Sequence, residues 1–221
     1  MAKVNSEVKK RGRPLGSSDL DHDNLCYSAI RVFANKGFEA CTMTEISEAA
    51  GISRTSLNYH YGSKEKLWYM GIDFLAEKFI TEFNQNKKLN KGLDAIPLLK
   101  ATIKQMVTFN ASYPEFISLA FTSLSNKDER SKYIIEKFSI PTFDLTKDIF
   151  KMLRKEGKIK LLSKQDQSAI LLGMTSFIFA NSYLFEQVFK TDPYQESQIN
   201  AYTESVIEIF FNGILVKSDS E

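Results

Sequence analysis

The chain is short of the residues on which several function classes depend. Of its 221 residues only Cys26 and Cys41 are cysteines, too few for a disulfide framework and in keeping with a reducing compartment. Histidine is as scarce, with His22 and His60 alone, so no Ser-His-Asp or Cys-His arrangement can be assembled. No glycine-rich phosphate loop follows a strand pattern, and an enzyme is not expected. His22 and Cys26 are at helical spacing, but a structural zinc site needs four closed ligands and His60 has a better use below. No metal and no cofactor are expected. Proline and glycine number 5 and 10, and long stretches lack either, which favours an all-helical protein. A run of about 18 apolar residues, the mark of a membrane span, is missing. The N-terminus is polar and basic with no apolar core of a secretory signal, so a cytoplasmic protein with no membrane partner is expected.

What is present is an ordinary globular composition, 43% hydrophobic and 25% charged, with an uneven distribution of charge. Between Lys3 and Arg13 five basic residues face one acid, Glu7, an excess larger than the +2 of the whole chain. Within it Lys9, Lys10, Arg11, Gly12 and Arg13 precede Pro14. Arg-Gly-Arg-Pro resembles the core of an AT-hook, in which glycine lets the backbone sit deep and arginines meet the negative potential of a narrow minor groove. Residues 1–21 read as a disordered basic arm.

Apolar residues then recur at helical spacing from Leu25 to Phe33, and Gly37 stops the helix. Thr42 and Glu45 form a capping-box pattern for a second helix, Gly51 makes a turn, and Ser53 caps a third. Two short helices joined by a turn of about three to four residues form a helix-turn-helix, whose second helix enters the major groove. A fourth helix begins at Ser63 and carries a long apolar stripe. Helices are expected over Leu93 to Phe109, Glu115 to Leu124, Asp128 to Arg154 (kinked or broken by Pro141), Gln165 to Phe189, and Gln195 to Val216. Gln165 to Phe189 is apolar on all sides, which requires burial from more than one direction. A core on one side and a second subunit on the other satisfy it, with Gly173, Phe179, Tyr183, Val206, Phe210 and Ile214 as interface candidates.

Residues Ala29 to Leu67 resemble the DNA-binding head of TetR/AcrR-family regulators. The landmarks in order are Val32-Phe33, Lys36-Gly37-Phe38, Thr42, Ile46, Ala49-Ala50-Gly51-Ile52-Ser53, Leu57, Tyr59-His60-Tyr61 and Ser63-Lys64-Glu65-Lys66-Leu67. Thr55 and Asn58 depart from the glycine and tyrosine usual there and suggest an individual operator. Arg54, Thr55, Ser56 and Asn58 are expected to face base edges, where arginine suits guanine and the Asn58 amide suits adenine. The resemblance assigns phosphate contacts to Thr42, Thr44, Tyr59, His60 and Lys64. Thr42 and Lys64 also stand at helix N-termini, which favour anions.

The expected architecture is all-α: a helix-turn-helix head over residues 22–66, a larger effector-binding and dimerisation bundle over 67–216, and a frayed tail from 217. The resemblance implies a small-molecule cavity in the bundle. Its expected lining is Phe74, Phe109, Phe121, Phe143, Phe150 and Phe177, with Asn110, Ser176 and Asn181 as polar contacts, and an aromatic or lipid-like effector would suit it. The expected partners are double-stranded DNA, a second copy of the chain and such an effector, in a ligand-responsive repressor. The rival reading is an architectural or protein-partner module of the same fold without an effector.

Overall fold

The computed structural model describes residues 21–90, 92–159 and 162–214, so the basic arm lies outside the described residues. It is built of helices: α1 (His22–Lys36), α2 (Met43–Ala49), α3 (Arg54–Tyr61), α4 (Lys64–Leu89), α5 (Ala95–Ser112), α6 (Pro114–Asn126) and α7 (Glu129–Ile134). A π-helical turn (Ile135–Ser139) leads into α8 (Ile140–Lys155), followed by α9 (Lys164–Ala180), α10 (Ser182–Phe189) and α11 (Glu196–Ile214). Short polar residues set the starts: Asp21, Thr42, Ser53, Ser63, Asp128 and Ser163 each accept a backbone amide from the first turn of the helix they precede. Pro114 opens α6, where its missing N–H costs nothing.

The core runs unbroken from the head into the bundle. Leu25, Ala29, Phe33, Ile46, Leu57 and Leu67 close the head, and Trp68, Ile72, Leu75 and Phe79 continue the packing down α4. Gly71 is required there: a Cβ on it would lie 2.8 Å from the Ile30 side chain, so α1 and α4 cross too closely for any larger residue. Farther down, Phe79 packs edge-on to Phe109 and 5.4 Å from Phe138, which ties α4, α5 and the π-turn into one aromatic cluster.

The stretch from Asp128 to Arg154 is divided at Pro141, as expected, and the division is a π-turn: Pro141 sits in the first turn of α8, and the π-turn immediately before it separates α8 from α7. One sequence expectation changes. Gln165 to Phe189 is not one helix, because the chain bends by 68° between α9 and α10 at Asn181. Among the described residues no single helix is long and apolar enough to cross a membrane.

The surface expected to meet a second subunit also shifts. Phe179, Val206 and Phe210 are buried within the protomer, where α9 and α11 pack on the bundle, and cannot reach a partner. The apolar side chains left outside are Ile170 and Phe177 on α9, Tyr183, Leu184, Val188 and Phe189 on α10, and Ile209 on α11. Gly173 lies between Ile170 and Phe177 on the exposed side of α9, with open space where its Cβ would be, and Tyr183 is 73% exposed. The expectation for Ile214 concerns a side chain outside the described set.

Candidate nucleic-acid interface

Residues Thr42 to Lys66 form a helix-turn-helix held from below by α1. The Thr42 hydroxyl accepts the Glu45 amide at 3.3 Å, and the Glu45 carboxylate accepts the Thr42 amide at 3.0 Å, completing a capping box. Lys36 donates to the same carboxylate and, with the Thr42 bonds, holds Glu45 below the usual carboxylate range. At the other end of α2 two α1 side chains satisfy free carbonyls: Ser28 donates to Ala49 O and Asn24 to Ala50 O. Gly51 then turns the chain with φ of 69°, a conformation costly for any residue with a Cβ. Ser53 caps α3, which is anchored by the fully buried Leu57.

With Leu57 inward, geometry decides what faces outward. Arg54, Thr55, Asn58, Tyr59 and His60 are exposed, whereas Ser56 is half-buried and its amide is bound to Ser53. Thr55 and Tyr59 are four residues apart and share the stripe farthest from Leu57; Tyr59 is 84% exposed and edge-on to His60. Tyr59 therefore stands on the outermost face of α3 beside Thr55. Thr42 is exposed and Thr44 half-buried at the start of α2.

Lys64 departs from expectation. Its ammonium donates to three loop carbonyls, Phe38 O at 2.7 Å, Glu39 O at 3.1 Å and Cys41 O at 3.0 Å. It also lies 4.6 Å from the centre of the Phe38 ring. An ammonium has three donors, and all are spent on holding the α1–α2 loop, so the side chain is a structural clamp. No sequence pattern marks this role, because the partners are backbone oxygens 23–26 residues away.

The bundle grips the same loop and the adjoining α1. Arg130, at the start of α7, lies 4.0 Å from the centre of the Phe38 ring and 3.3 Å from the Glu39 carboxylate. Tyr27 of α1 donates to Glu115 of α6 at 2.8 Å, and Arg31 pairs with the other Glu115 oxygen at 3.3 Å. Burial and that carboxylate push the Tyr27 phenol well above its ordinary range. Tyr133 on α7 donates to both oxygens of Asp73 on α4, at 2.7 and 2.8 Å.

Between α6, α7, the π-turn, α8 and α9 lies a small apolar cavity of about 40 Å³. Phe121 and Phe143 line it, as expected, with Ile117, Ile134, Phe138 and Leu172. The other expected residues do not. Phe109 is core, packed on Phe79 and Tyr113, and Phe150 packs on Phe210 and lines instead a neighbouring pocket between α8 and α9. Phe74 lies half-buried near Lys78, and Phe177 faces outward at 54% exposure. Asn110 is buried and donates to Thr175 O at 2.9 Å, Ser176 donates to Leu172 O, and Asn181 is exposed and donates to Phe177 O. Each of these polar hydrogens satisfies a backbone carbonyl, which is why none reaches the cavity.

Residues 27–68 match the family described as bacterial regulatory proteins, tetR family. Over 193 residues the chain is 28% identical to the biofilm operon icaADBC HTH-type negative transcriptional regulator IcaR of Staphylococcus aureus, covering 85% of this chain and 97% of that one. Its fold is similar to the ketosteroid transcriptional regulator KstR2 of Mycobacterium tuberculosis, at 16% identity and a TM-score of 0.71 over 93% of this chain and 100% of that one. It is also similar to the fatty acid degradation regulator FadR from Bacillus halodurans, at 16% identity and a TM-score of 0.67 over 87% and 99%. A head matched in sequence, a relative aligned along nearly its whole length and a shared helical bundle lead to one assignment: residues 27–68 form a DNA-binding head of the tetR family, and the chain as a whole is similar to transcriptional regulators that carry it.

Proposed function

We propose that the protein is a repressor that binds a palindromic operator as a homodimer and leaves it when a small apolar or amphiphilic effector enters the bundle. The observation that carries this reading is the exposed stripe on α3, where Arg54, Thr55, Asn58 and Tyr59 face outward while Leu57 fixes the helix from behind. Arg54, Thr55 and Asn58 read base edges, Ser56 lies at the margin, and Thr42, Thr44, Tyr59 and His60 reach phosphates. Lys9 to Arg13 enter the adjacent minor groove. Two heads engage half-sites roughly 34–36 Å apart or a multiple of that.

The release mechanism follows from what touches the cavity. Phe138 lines it and packs on Phe79 of α4, Ile134 lines it from α7, and Ile117 from α6. Those helices are the ones that grip the head. Occupancy that moves them lowers DNA affinity only if the effector prefers the displaced arrangement. The staphylococcal relative is a negative transcriptional regulator, which supports repression and favours this reading over an architectural module. Footprinting on DNA upstream of the protein's own gene, extended genome-wide, tests it. A protected palindrome is expected; affinity for a selected operator equal to that for bulk DNA sinks it.

A further inference from the structure

The apolar cavity does not end at its own walls. On the far side of Phe143, α8 and α9 leave a second pocket of about 240 Å³, lined by Lys147, Arg154, Lys164, Gln167 and Ser168, with Asp144 as its one acid. A narrow seam at Thr142, Phe143 and Leu172 shares lining with the apolar cavity, and through Phe143, Thr146 and Ser168 with the basic pocket. Together the three spaces come near the lower limit of small-molecule sites, roughly 300 Å³.

The two ends differ in chemistry. The inner end is walled by Ile117, Ala120, Leu124, Ile134 and Phe138; its polar lining is the hydroxyls of Ser139 and Thr142, the latter donating to Phe138 O, and no charged group lines it. At the outer end Asp144 is paired with Lys147 at 3.5 Å, which leaves Arg154 and Lys164 as the uncompensated cations of the lining. Arg154 is held in place: one guanidinium nitrogen donates at 3.0 Å to Oε1 of Gln167, which is 3% exposed. The Gln167 amide in turn donates to Leu162 O at 2.9 Å, so the side chain is fixed from both ends. A guanidinium held this way in the pocket lining suits a carboxylate better than a free surface lysine does.

We infer that the effector is an amphiphilic anion, a carboxylate carrying an unbranched apolar tail, with its head at Arg154 and Lys164 and its tail threaded past Phe143 toward Phe138. This rests on the effector-responsive reading above and specifies its ligand class. Phe143 is 42% exposed and stands at the junction of all three spaces, so it must rotate to admit a tail. Tail entry then presses on Phe138 and Ile134, the side chains nearest the helices that hold the head.

The test uses the full-length protein and three probes of equal tail length below their micellar concentrations: dodecanoate, dodecanol and dodecyltrimethylammonium. Calorimetric affinities are expected in that order, with dodecanoate tighter than dodecanol by about ten- to a hundredfold. The double variant Arg154→Gln, Lys164→Gln should lose that preference while keeping its affinity for dodecanol. Equal affinity for all three probes, preference for the cation, or no binding by any of them overturns the proposal, as does an unchanged preference in the double variant. Lys164→Gln alone, at an exposed site, guards against a folding defect and should still weaken dodecanoate selectively. Operator release is measured separately: binding by these rules without release would sink the effector reading and leave the site standing, whereas release by dodecanol alone would do the reverse.

Discussion

Lys64 shows how a side chain in the right place for one role can be committed to another. If its ammonium neutralised a phosphate, Lys64→Ala would lower the dependence of log affinity on log salt by about 0.9. With its three donors on Phe38, Glu39 and Cys41 carbonyls, the expected result is different: an unchanged salt slope, weaker binding at every salt concentration and a lower melting temperature. Titrating operator affinity at several ionic strengths separates the two. Asn58 is the opposite case. It is exposed on α3 with Leu57 securing the helix, so Asn58→Ala should leave stability within about 0.5 kcal/mol. It should cost about 1–3 kcal/mol of discrimination at one base position, read by affinity for operators substituted there. The sequence marks Asn58 because helical spacing from a single apolar anchor decides which residues point outward. It cannot mark Lys64, whose partners are carbonyls with no side-chain signature, nor the half-buried state of Ser56, which depends on how α3 lies against its neighbours.

At the scale of elements, caps and apolar periodicity located nearly every helix, and the errors fall where a tertiary contact overrules the local pattern. Pro141 signals an interruption, but not its form, a π-turn whose Phe138 packs into the aromatic cluster, where it meets Phe79 and Phe116. Nothing local encodes the 68° bend between α9 and α10, because an apolar run is compatible with either a straight or a bent pair. The contacts between the bundle and the head are equally silent in sequence. Arg130→Ala removes the cation beside Phe38 and the pair with Glu39, and should loosen the head by on the order of 0.5–2 kcal/mol. Faster hydrogen exchange at the Ile46 and Ala50 amides, with bundle amides unchanged, is the expected signature. Tyr27 gives the same junction a pH dependence. Its phenol is raised from 10.0 in the folded state, so its contribution is complete below that pH and is lost as pH rises beyond it. Tyr27→Phe should flatten the alkaline limb of the stability curve, and thermal melts of both proteins between neutral and strongly alkaline pH check it.

For the whole molecule, the sequence asks for a second neighbour beside an all-apolar segment, and of the side chains it offers for that contact Gly173 and Tyr183 are exposed while Phe179, Val206 and Phe210 are buried. One side of such a segment must face the protomer's own core, and Leu171 and Phe179 of α9 do, as Val206 and Phe210 do from α11. The rest remain outside: Ile170 and Phe177 flanking Gly173 on α9, and Ile209 four residues before Gly213 on α11. Small residues beside large ones let two helices approach a symmetric pair closely, and a twofold interface repeats each contact. A charge on this surface should therefore act without touching the fold. Ile209→Glu, at a site 64% exposed, is expected to shift the protein from dimer to monomer in sedimentation equilibrium, with protomer helicity unchanged by circular dichroism. Operator affinity should fall steeply because one head then binds without the other. Phe210→Glu, one residue along and 3% exposed, should instead unfold the bundle. If Ile209→Glu remains dimeric at micromolar concentration, the α9–α11 surface is not the subunit contact, and the apolar residues of α10 become the face to charge next.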